Sequence, residues 1–274
     1  MRTGLAGKRI ALFDSRLAQD HTDLVRRSGG IPVCIPAVVQ RRRRAGHELS
    51  ALLDVLATEP AVFVFPTGVG VRALFDEARA LGRGPELLEA IQRGGSVCRG
   101  PRAVGALLRE GLHASLCASE PHACDDLIAA LGTLAIEGLP VVVVHHGERN
   151  EKLVRALGAR RTVLLELLFD EWDMPSDPAL LTSAALRLVD GDFAAAAFTT
   201  QAQARNLLTV ATRIGRRDEV IDALRSRVVV AAVGPGCART LDRLGVPAHV
   251  VPGAPRRSAM LEALVDRLAT RRAA

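Results

Sequence analysis

A spaced internal repeat constrains this chain more than any other feature. The segment SVCRGPRAVGALLREGLHASLCASEPHACDDLIAAL, from Ser96, lies over VVVAAVGPGCARTLDRLGVPAHVVPGAPRRSAMLEALVDRL near the C-terminus. Gly100 matches Gly234, Gly111 matches Gly245 and Pro121 matches Pro255, each at an offset of 134 residues. A second pair, AVFVFPTGVGVRALFDEAR over AAAAFTTQAQARNLLTVAT, sets Phe65 on Phe198 and Thr67 on Thr200 at an offset of 133. The third, KRIALFDSR...DLVRRSGG over LPVVVVHHGER...KLVRALGA, sets Leu24 on Leu153 and Gly29 on Gly158 at 129. Turn-forming glycines and prolines do not recur in register by chance, so the 274 residues hold two similar domains of ordinary size.

Each repeated unit has the same grammar: a short β-branched or apolar run, a small polar turn, then apolar residues at helical spacing such as Val104, Leu107 and Leu108, or Leu241 and Leu244. That alternation is the signature of an α/β fold, a parallel sheet flanked by helices. The runs VVVV at 141–144 and VVVAAV at 228–233 read as strands buried on both faces. Helices are expected near 50–57, 72–81, 103–110, 124–131, 151–157, 179–189, 202–213, 218–225, 236–244 and 258–269. Two polar interruptions, QRRRRAG at 40–46 and FDEWDMPSDP at 169–178, follow the second strand of equivalent units and read as solvated connectors between domains. Domain 1 is then expected over 1–39 plus 174–274, and domain 2 over 40–173.

Composition narrows the function classes. With 49% hydrophobic and 24% charged residues the chain can bury a core in each domain. No apolar run approaches the ~20 residues that span a bilayer, and the N-terminus passes straight into a strand-like segment with no cleavable leader pattern, so a cytoplasmic protein without a membrane partner is expected. The five cysteines are scattered without a CxxC pair, which points to reduced, mostly buried thiols and no metal. The net charge of +6 is almost all arginine, Lys8 and Lys152 being the only lysines. Guanidinium groups suit a carboxylate or phosphate ligand, although a GC-rich gene would also write its surface cations this way.

The residues that carry chemistry sit between strands and helices. Thr67, Gly68, Val69 and Gly70 form one such turn, and Thr199, Thr200 and Gln201 the equivalent one. First-turn N–H groups, a hydroxyl and the helix dipole can hold an anion there, or the threonines can simply cap their helices. Gly100, with Arg99 before it and Arg102 after, and Gly234-Pro235-Gly236 with Cys237 form the second equivalent pair, open to a turn-forming or a ligand-binding reading. TGVGVRA lacks the third glycine and the downstream acid of a dinucleotide site, and neither GxxxxGK[ST] nor GxSxG occurs, so no cofactor is expected. His145 and His146 end a strand and point to opposite faces, which disfavours one shared metal and leaves one buried or capping and the other toward the cleft.

Taken in order, the strand before Arg16, the TGVGV turn, RGPRAVGALLREGL, the HHGE turn, FTTQAQARNLL and VGPGCARTLDRLGV resemble the uroporphyrinogen-III synthase family over nearly the whole chain. The resemblance implies two α/β domains joined by two connectors, and a substrate, hydroxymethylbilane, that is a carboxylate-rich linear tetrapyrrole. It is closed to uroporphyrinogen III with inversion of its last ring, without metal or organic cofactor. Arg16, Thr67, Gly68, Val69, Gly70, Arg99, Gly100, Arg102, His146, Gly147, Thr199, Thr200, Gln201, Gly234, Pro235, Gly236 and Cys237 are then the expected substrate contacts, held between the domains. Thr200 is the one candidate for a catalytic hydroxyl. The family tyrosine near the second connector is absent, since the chain has no tyrosine and Phe169, Asp170 and Glu171 stand in that region. A non-catalytic, ligand-binding regulatory domain associated with a DNA-binding module is the alternative. A monomer with no nucleic-acid contact through this chain is expected.

Overall fold

The computed structural model describes residues 5–14 and 18–270, the side chains of 18–21 excepted. It divides into two compact units, Met1–Val39 with Asp173–Ala274 (unit 1) and Gln40–Trp172 (unit 2).

Unit 1 is built on β1 (Arg9–Leu12), β2 (Ile31–Cys34), β9 (Ala195–Phe198) and β10 (Val229–Ala232), in the order β10-β9-β1-β2 with every neighbour parallel. Period-two alternation splits these strands between two cores. Ala11, Phe13, Ala196, Phe198, Val230 and Ala232 face the side covered by α8 (Ala179–Val189), α9 (Gln201–Arg213), α10 (Arg217–Ser226) and α11 (Pro235–Arg243). Ile10, Leu12, Ala195, Ala197, Val229 and Ala231 face the other side, under α1 (Ala18–Arg27) and α12 (Arg257–Thr270). The Phe13 and Phe198 rings stack with centroids 4.7 Å apart, tying β1 to β9.

In unit 2 the sheet is β3 (Val39–Arg42), β8 (Val163–Asp173), β7 (Pro140–Gly147), β4 (Val62–Phe65), β5 (Ser96–Cys98) and β6 (Leu116–Cys117), in that order. From β8 to β6 all pairs are parallel. Phe63, Phe65, Cys98, Val142 and Val144 pack under α2 (Gly46–Leu56), α3 (Gly68–Ala80), α4 (Gly84–Gly94) and α5 (Pro101–Arg109). On the opposite face Val64, Val97, Val141 and Val143 pack under α6 (Cys124–Gly132) and α7 (Glu151–Gly158). Both units are three-layer α/β/α folds, the sheet parallel throughout in unit 1 and from β8 to β6 in unit 2.

Strand pairing makes the repeat quantitative. Setting Phe198 on Phe65, an offset of 133, carries Ile10 onto Val141 (131), Pro32 onto Leu164 (132) and Ala232 onto Cys98 (134), because each pair holds the same register in its own sheet. The order β10-β9-β1-β2 is therefore β5-β4-β7-β8 repeated, and unit 2 adds β3 at one edge and β6 at the other.

Three readings need correction. The arginine run is not a loose connector: Val39–Arg42 is the edge strand β3, every residue exposed, and the Arg43 N–H donates to the Phe169 carbonyl at 2.7 Å. FDEWD likewise continues β8 to Asp173, since a backbone beside another strand gains a hydrogen-bonding partner whatever its side chains are. Arginines on an open edge also discourage pairing with a second molecule. The helix count omitted α1, polar but for Ala18, Leu24 and Val25, and α4, whose opening Gly84-Pro85 reads as a turn although Pro is suited to a first helical turn. The cysteines are free thiols, but only Cys98 and Cys237 are buried, Cys34 and Cys117 being exposed.

Candidate functional site

Parallel α/β sheets place ligands at the carboxyl ends of their strands, where the connections on either side of a central strand pair diverge. In unit 1 that place lies beyond β1 and β9, and in unit 2 beyond β7 and β4.

In unit 1, Thr200 caps α9: its Oγ1 accepts from the Gln203 N–H at 3.3 Å, and the Gln203 Oε1 accepts in return from the N–H groups of Thr199 (2.7 Å) and Thr200 (3.1 Å). Gln203 is 2% exposed, and its Nε2 donates to Thr199 Oγ1 at 3.0 Å and to Asp14 Oδ1 at 3.3 Å. The Thr199 hydroxyl donates to Asp14 Oδ2 at 3.2 Å, and Arg257 Nη1 stands 3.7 Å from the same oxygen. Asp14 is thus a mostly buried carboxylate, held by two neutral donors and one cation at the end of β1. Phe13, Cys34 and Leu261 close a space about one water wide beside it.

Next to this network Gly234, Pro235 and Gly236 open α11, and a Cβ on Gly236 would lie 3.5 Å from the Gln201 Nε2. Cys237 does not join them as a ligand group. It is 5% exposed, its Sγ rests 3.6 Å from the carbonyls of Phe198 and Thr200, and burial pushes its thiol up to about 12.

Unit 2 repeats the turn with different wiring. Thr67 caps α3, its Oγ1 accepting from the Gly70 N–H at 3.0 Å. Gly68 is packed so closely that a Cβ would sit 2.3 Å from the Arg102 carbonyl, which fixes the start of α3 against the start of α5. Gly70 is buried near the Val144 carbonyl, whereas Val69 faces solvent. The Arg99 N–H donates to the Phe65 carbonyl at 3.0 Å, anchoring the β5 end of the turn. Burial lowers the pKa of the Arg99 guanidinium, Cys124 opposing and Arg102 adding to the effect. Gly100 lies against His122, which follows the cis Glu120–Pro121 bond.

At the end of β7 the two histidines do separate. His145, 2% exposed, donates from Nε2 to Glu166 at 2.8 Å while its Nδ1 accepts the Asn150 N–H at 3.3 Å, so the neutral ring satisfies both partners. Burial lowers the His145 pKa against the pull of Glu166. Arg149 grips the same carboxylate with two bonds of 2.8 and 2.7 Å. Burial would raise the Glu166 pKa, but the bonds from Arg149 and His145 outweigh it and hold it low. These residues, with Arg43 and Glu48, line an open cleft of about 210 Å³.

His146 turns to the other face. Its ring meets the Trp172 indole edge-on at 5.5 Å, and its buried Nδ1 lies 3.5 Å from Asp170 without a hydrogen bond. Burial lowers its pKa, Asp170 opposing. Gly147 adopts φ +77°, and a Cβ there would strike the Trp172 ring at 2.2 Å, so glycine alone fits. Phe169, in the region of the family tyrosine, is 3% exposed and belongs to the core.

The structure therefore gathers Thr67, Gly68, Val69, Gly70, Arg99, Gly100, Arg102, His146 and Gly147 at the strand ends of unit 2. Thr199, Thr200, Gln201, Gly234, Pro235 and Gly236 meet at those of unit 1. Arg16 lies outside the described residues. Asp14, Gln203, Glu166 and Trp172 were missed by the motif reading. Gln203 had a readable signal, the T-x-x-Q spacing of a capping box, and Asp14 had a weaker one, a lone acid ending an apolar strand. No group of three His, Cys, Asp or Glu side chains suited to a metal occurs among the described residues.

Two doubly wound units with equivalent capped turns at their strand ends define a duplicated α/β protein. Comparison with known proteins gives the family: residues 19–262 match the model described as uroporphyrinogen-III synthase HemD. The chain belongs to the uroporphyrinogen-III synthase family. It is 30% identical over 268 residues to the uncharacterized protein YjjA of Bacillus subtilis, covering 95% of this chain and 96% of that protein. It is also 30% identical over 149 residues to a putative uroporphyrinogen-III synthase of Methanothermobacter thermautotrophicus, 54% of this chain and 57% of that protein. Among solved structures, a mutant uroporphyrinogen III synthase of Thermus thermophilus superposes with a TM-score of 0.81 at 24% identity, over 97% of this chain and all of that one, a likeness of fold.

Proposed function

We propose that this protein is a uroporphyrinogen-III synthase, closing hydroxymethylbilane to uroporphyrinogen III with inversion of the last ring. The observation that carries the reading is the repetition of a capped helix start beside a glycine-opened helix at equivalent strand ends of both units. A linear tetrapyrrole with carboxylates along its length suits two such places better than one. The N–H groups of Gly68 and Val69, and of Gln201 and Ala202, belong to first turns that have no intrahelical acceptor, and they favour anions together with the helix dipole. The Thr199 and Thr200 amides are held by Gln203, so the binding groups are first-turn amides with the Arg99 guanidinium, which gains from an anionic partner in its partly buried position. Unit 1 supplies the chain's positive charge, with 20 Lys and Arg against 13 Asp and Glu, whereas unit 2 has 16 against 17.

Within unit 1, beside the first turn of α9, Asp14 is an acceptor fixed by Thr199 and Gln203. A carboxylate retains lone pairs beyond the two bonds it accepts there, which suits ligand N–H groups or a developing cation. With no tyrosine to assist loss of the hydroxyl, the reaction relies on holding the substrate folded back so that the correct carbon of the last ring attacks. Positioning of this kind can contribute several kcal/mol, against about 1 kcal/mol for one neutral hydrogen bond.

The alternative is a ligand-binding regulatory domain, natively associated with a DNA-binding module. It is favoured by the burial of Phe169 and the placing of Asp170 against His146 and Glu171 against Arg43, which leave no neutral hydroxyl in the region of the family tyrosine. An assay that supplies fresh hydroxymethylbilane and separates the type III from the type I isomer decides. Formation of type III product above the spontaneous rate is expected. Only type I product, at the uncatalysed rate and with tight binding of a uroporphyrin-like polycarboxylate, rejects the synthase and leaves the regulator.

A further inference from the structure

Away from the histidine cleft, unit 2 holds two thiols in direct cross-strand register. β5 and β6 run parallel with Val97 opposite Leu116 and Cys98 opposite Cys117. Val97 and Leu116 pack on the α6 and α7 face, whereas Cys98 belongs to the core on the opposite face. Alternation therefore sends the Cys98 and Cys117 side chains out of the same face of the sheet. Neighbouring strands lie about 4.8 Å apart, within the Cα separation of about 4.4–6.8 Å that a disulfide bridges. Cys117 is exposed and Cys98 is 0% exposed, so one thiol meets solvent and the other waits behind it. The third cysteine of unit 2, Cys124, packs against the α6 and α7 face and bonds Asn150, on the wrong side to compete. β6 is a two-residue edge strand, so small backbone shifts there are inexpensive.

We propose that Cys98 and Cys117 form a reversible disulfide under a peroxide-class oxidant, tying the sheet edge to β5 immediately before the Arg99-Gly100 turn. The Cys117 thiolate attacks the peroxide O–O bond, takes one oxygen as sulfenic acid and releases water. Cys98 then attacks that sulfur, forming the S–S bond and expelling the oxygen as hydroxide, which leaves as a second water with the Cys98 proton. Two thiols lose two electrons, and one peroxide becomes two waters. Burial pushes the Cys98 thiol up to about 12, with Cys117 adding to the rise, so the second step quickens as pH increases and more of Cys98 becomes thiolate.

The test treats the full chain carrying Cys124→Ser with hydrogen peroxide at pH 7, 8 and 9, alkylates the remaining thiols after unfolding, and maps peptides. The expected result is a linked pair of peptides containing Cys98 and Cys117, two hydrogens lighter than the separate thiols and restored by dithiothreitol. Its rate should rise with pH, and a dimedone-trapped sulfenic acid should appear at Cys117 when Cys98→Ser is added. Cys34→Ser should leave the link unchanged. The proposal is overturned if Cys117 advances to sulfinic acid or pairs between molecules while Cys98 stays fully alkylatable. Because the readout is covalent, it does not depend on the ligand or the activity.

Discussion

The carboxyl ends of β1 and β7 occupy the same place in two copies of one fold and are wired in different ways. By strand register Asp14 corresponds to His145, and Cys34 to Glu166. In unit 1 the strand end is a carboxylate steadied mostly by neutral donors, Thr199 and the buried Gln203. In unit 2 it is a neutral imidazole locked between a backbone N–H and a carboxylate that Arg149 grips. Duplication thus preserved the backbone and the capped turns, while the polar groups at the strand ends were free to diverge. The difference teaches that strand register and helix caps are set by the fold, whereas the charge placed in the crevice is set locally.

The largest expected effect tests the tightest point of unit 2. Gly147→Ala forces a side chain into a left-handed backbone position and into the Trp172 ring, and should cost about 2–4 kcal/mol in urea unfolding. Trp172 is the chain's only tryptophan, so its emission should shift in the folded variant. A loss below about 0.5 kcal/mol, with emission unchanged, would mean that the indole does not lie over Gly147.

Acid should separate the units next. His145 and His146 are both held neutral by burial, with folded pKa values below the unfolded value of about 6.5. The unfolded chain therefore binds more protons as pH falls through that value, and unit 2 should lose stability progressively below about pH 6.5 while being unaffected between 7 and 8. Unfolding followed through Trp172 should show this, and His145→Gln should flatten part of the slope. A Trp172 transition independent of pH from 8 to 5 would count against the buried neutral histidines.

A smaller contrast compares the strand-end carboxylates. Glu166→Ala leaves the buried His145 Nε2–H without its acceptor and should cost about 1–3 kcal/mol, whereas Asp14→Ala leaves Gln203 still bonded to Thr199 and should cost about 1 kcal/mol. Under the synthase reading Asp14→Ala should nevertheless reduce turnover more than Glu166→Ala does. The reverse order in turnover would move the chemistry to unit 2. Smallest of all are the caps. Thr200→Ala and Thr67→Ala should each cost about 1 kcal/mol, Thr200 the more because it loses the reciprocal box with Gln203. Calorimetric titration with a uroporphyrin-like polycarboxylate should show weaker binding in the double variant, and unchanged affinity would remove these turns from the ligand site.

Much of the architecture was legible because turns are written in residue types that tolerate few substitutes. Gly100 and Gly234, Thr67 and Thr200 recur at offsets that match the strand register, and the apolar runs at 141–144 and 228–233 announced buried parallel strands. β3 was not legible, since Gln40, Arg41 and Arg42 carry little strand propensity and join a strand only because β8 lies beside them. The same tertiary cause hid Asp14 and Glu166. Asp14 gains meaning from Gln203, 189 residues away, and Glu166 from a neighbouring strand. Phe169 stands in the region where the family resemblance expects a tyrosine, and its place in the core could not be read from the sequence.

The order of strands also has a consequence for how the polypeptide is made. β1 is synthesised well before its neighbour β9, Ala195–Phe198, which follows only after all of Gln40–Trp172 has been made. Unit 2 is continuous and can close its core during translation, since domains fold as units in the order they emerge. Until β9 is made, β1 can pair only with β2, on one of its two sides, while β2 already has the one neighbour that an edge strand has. The nascent chain therefore carries an apolar strand with one open side throughout that interval, and slow decoding between 173 and 195 would lengthen the exposure.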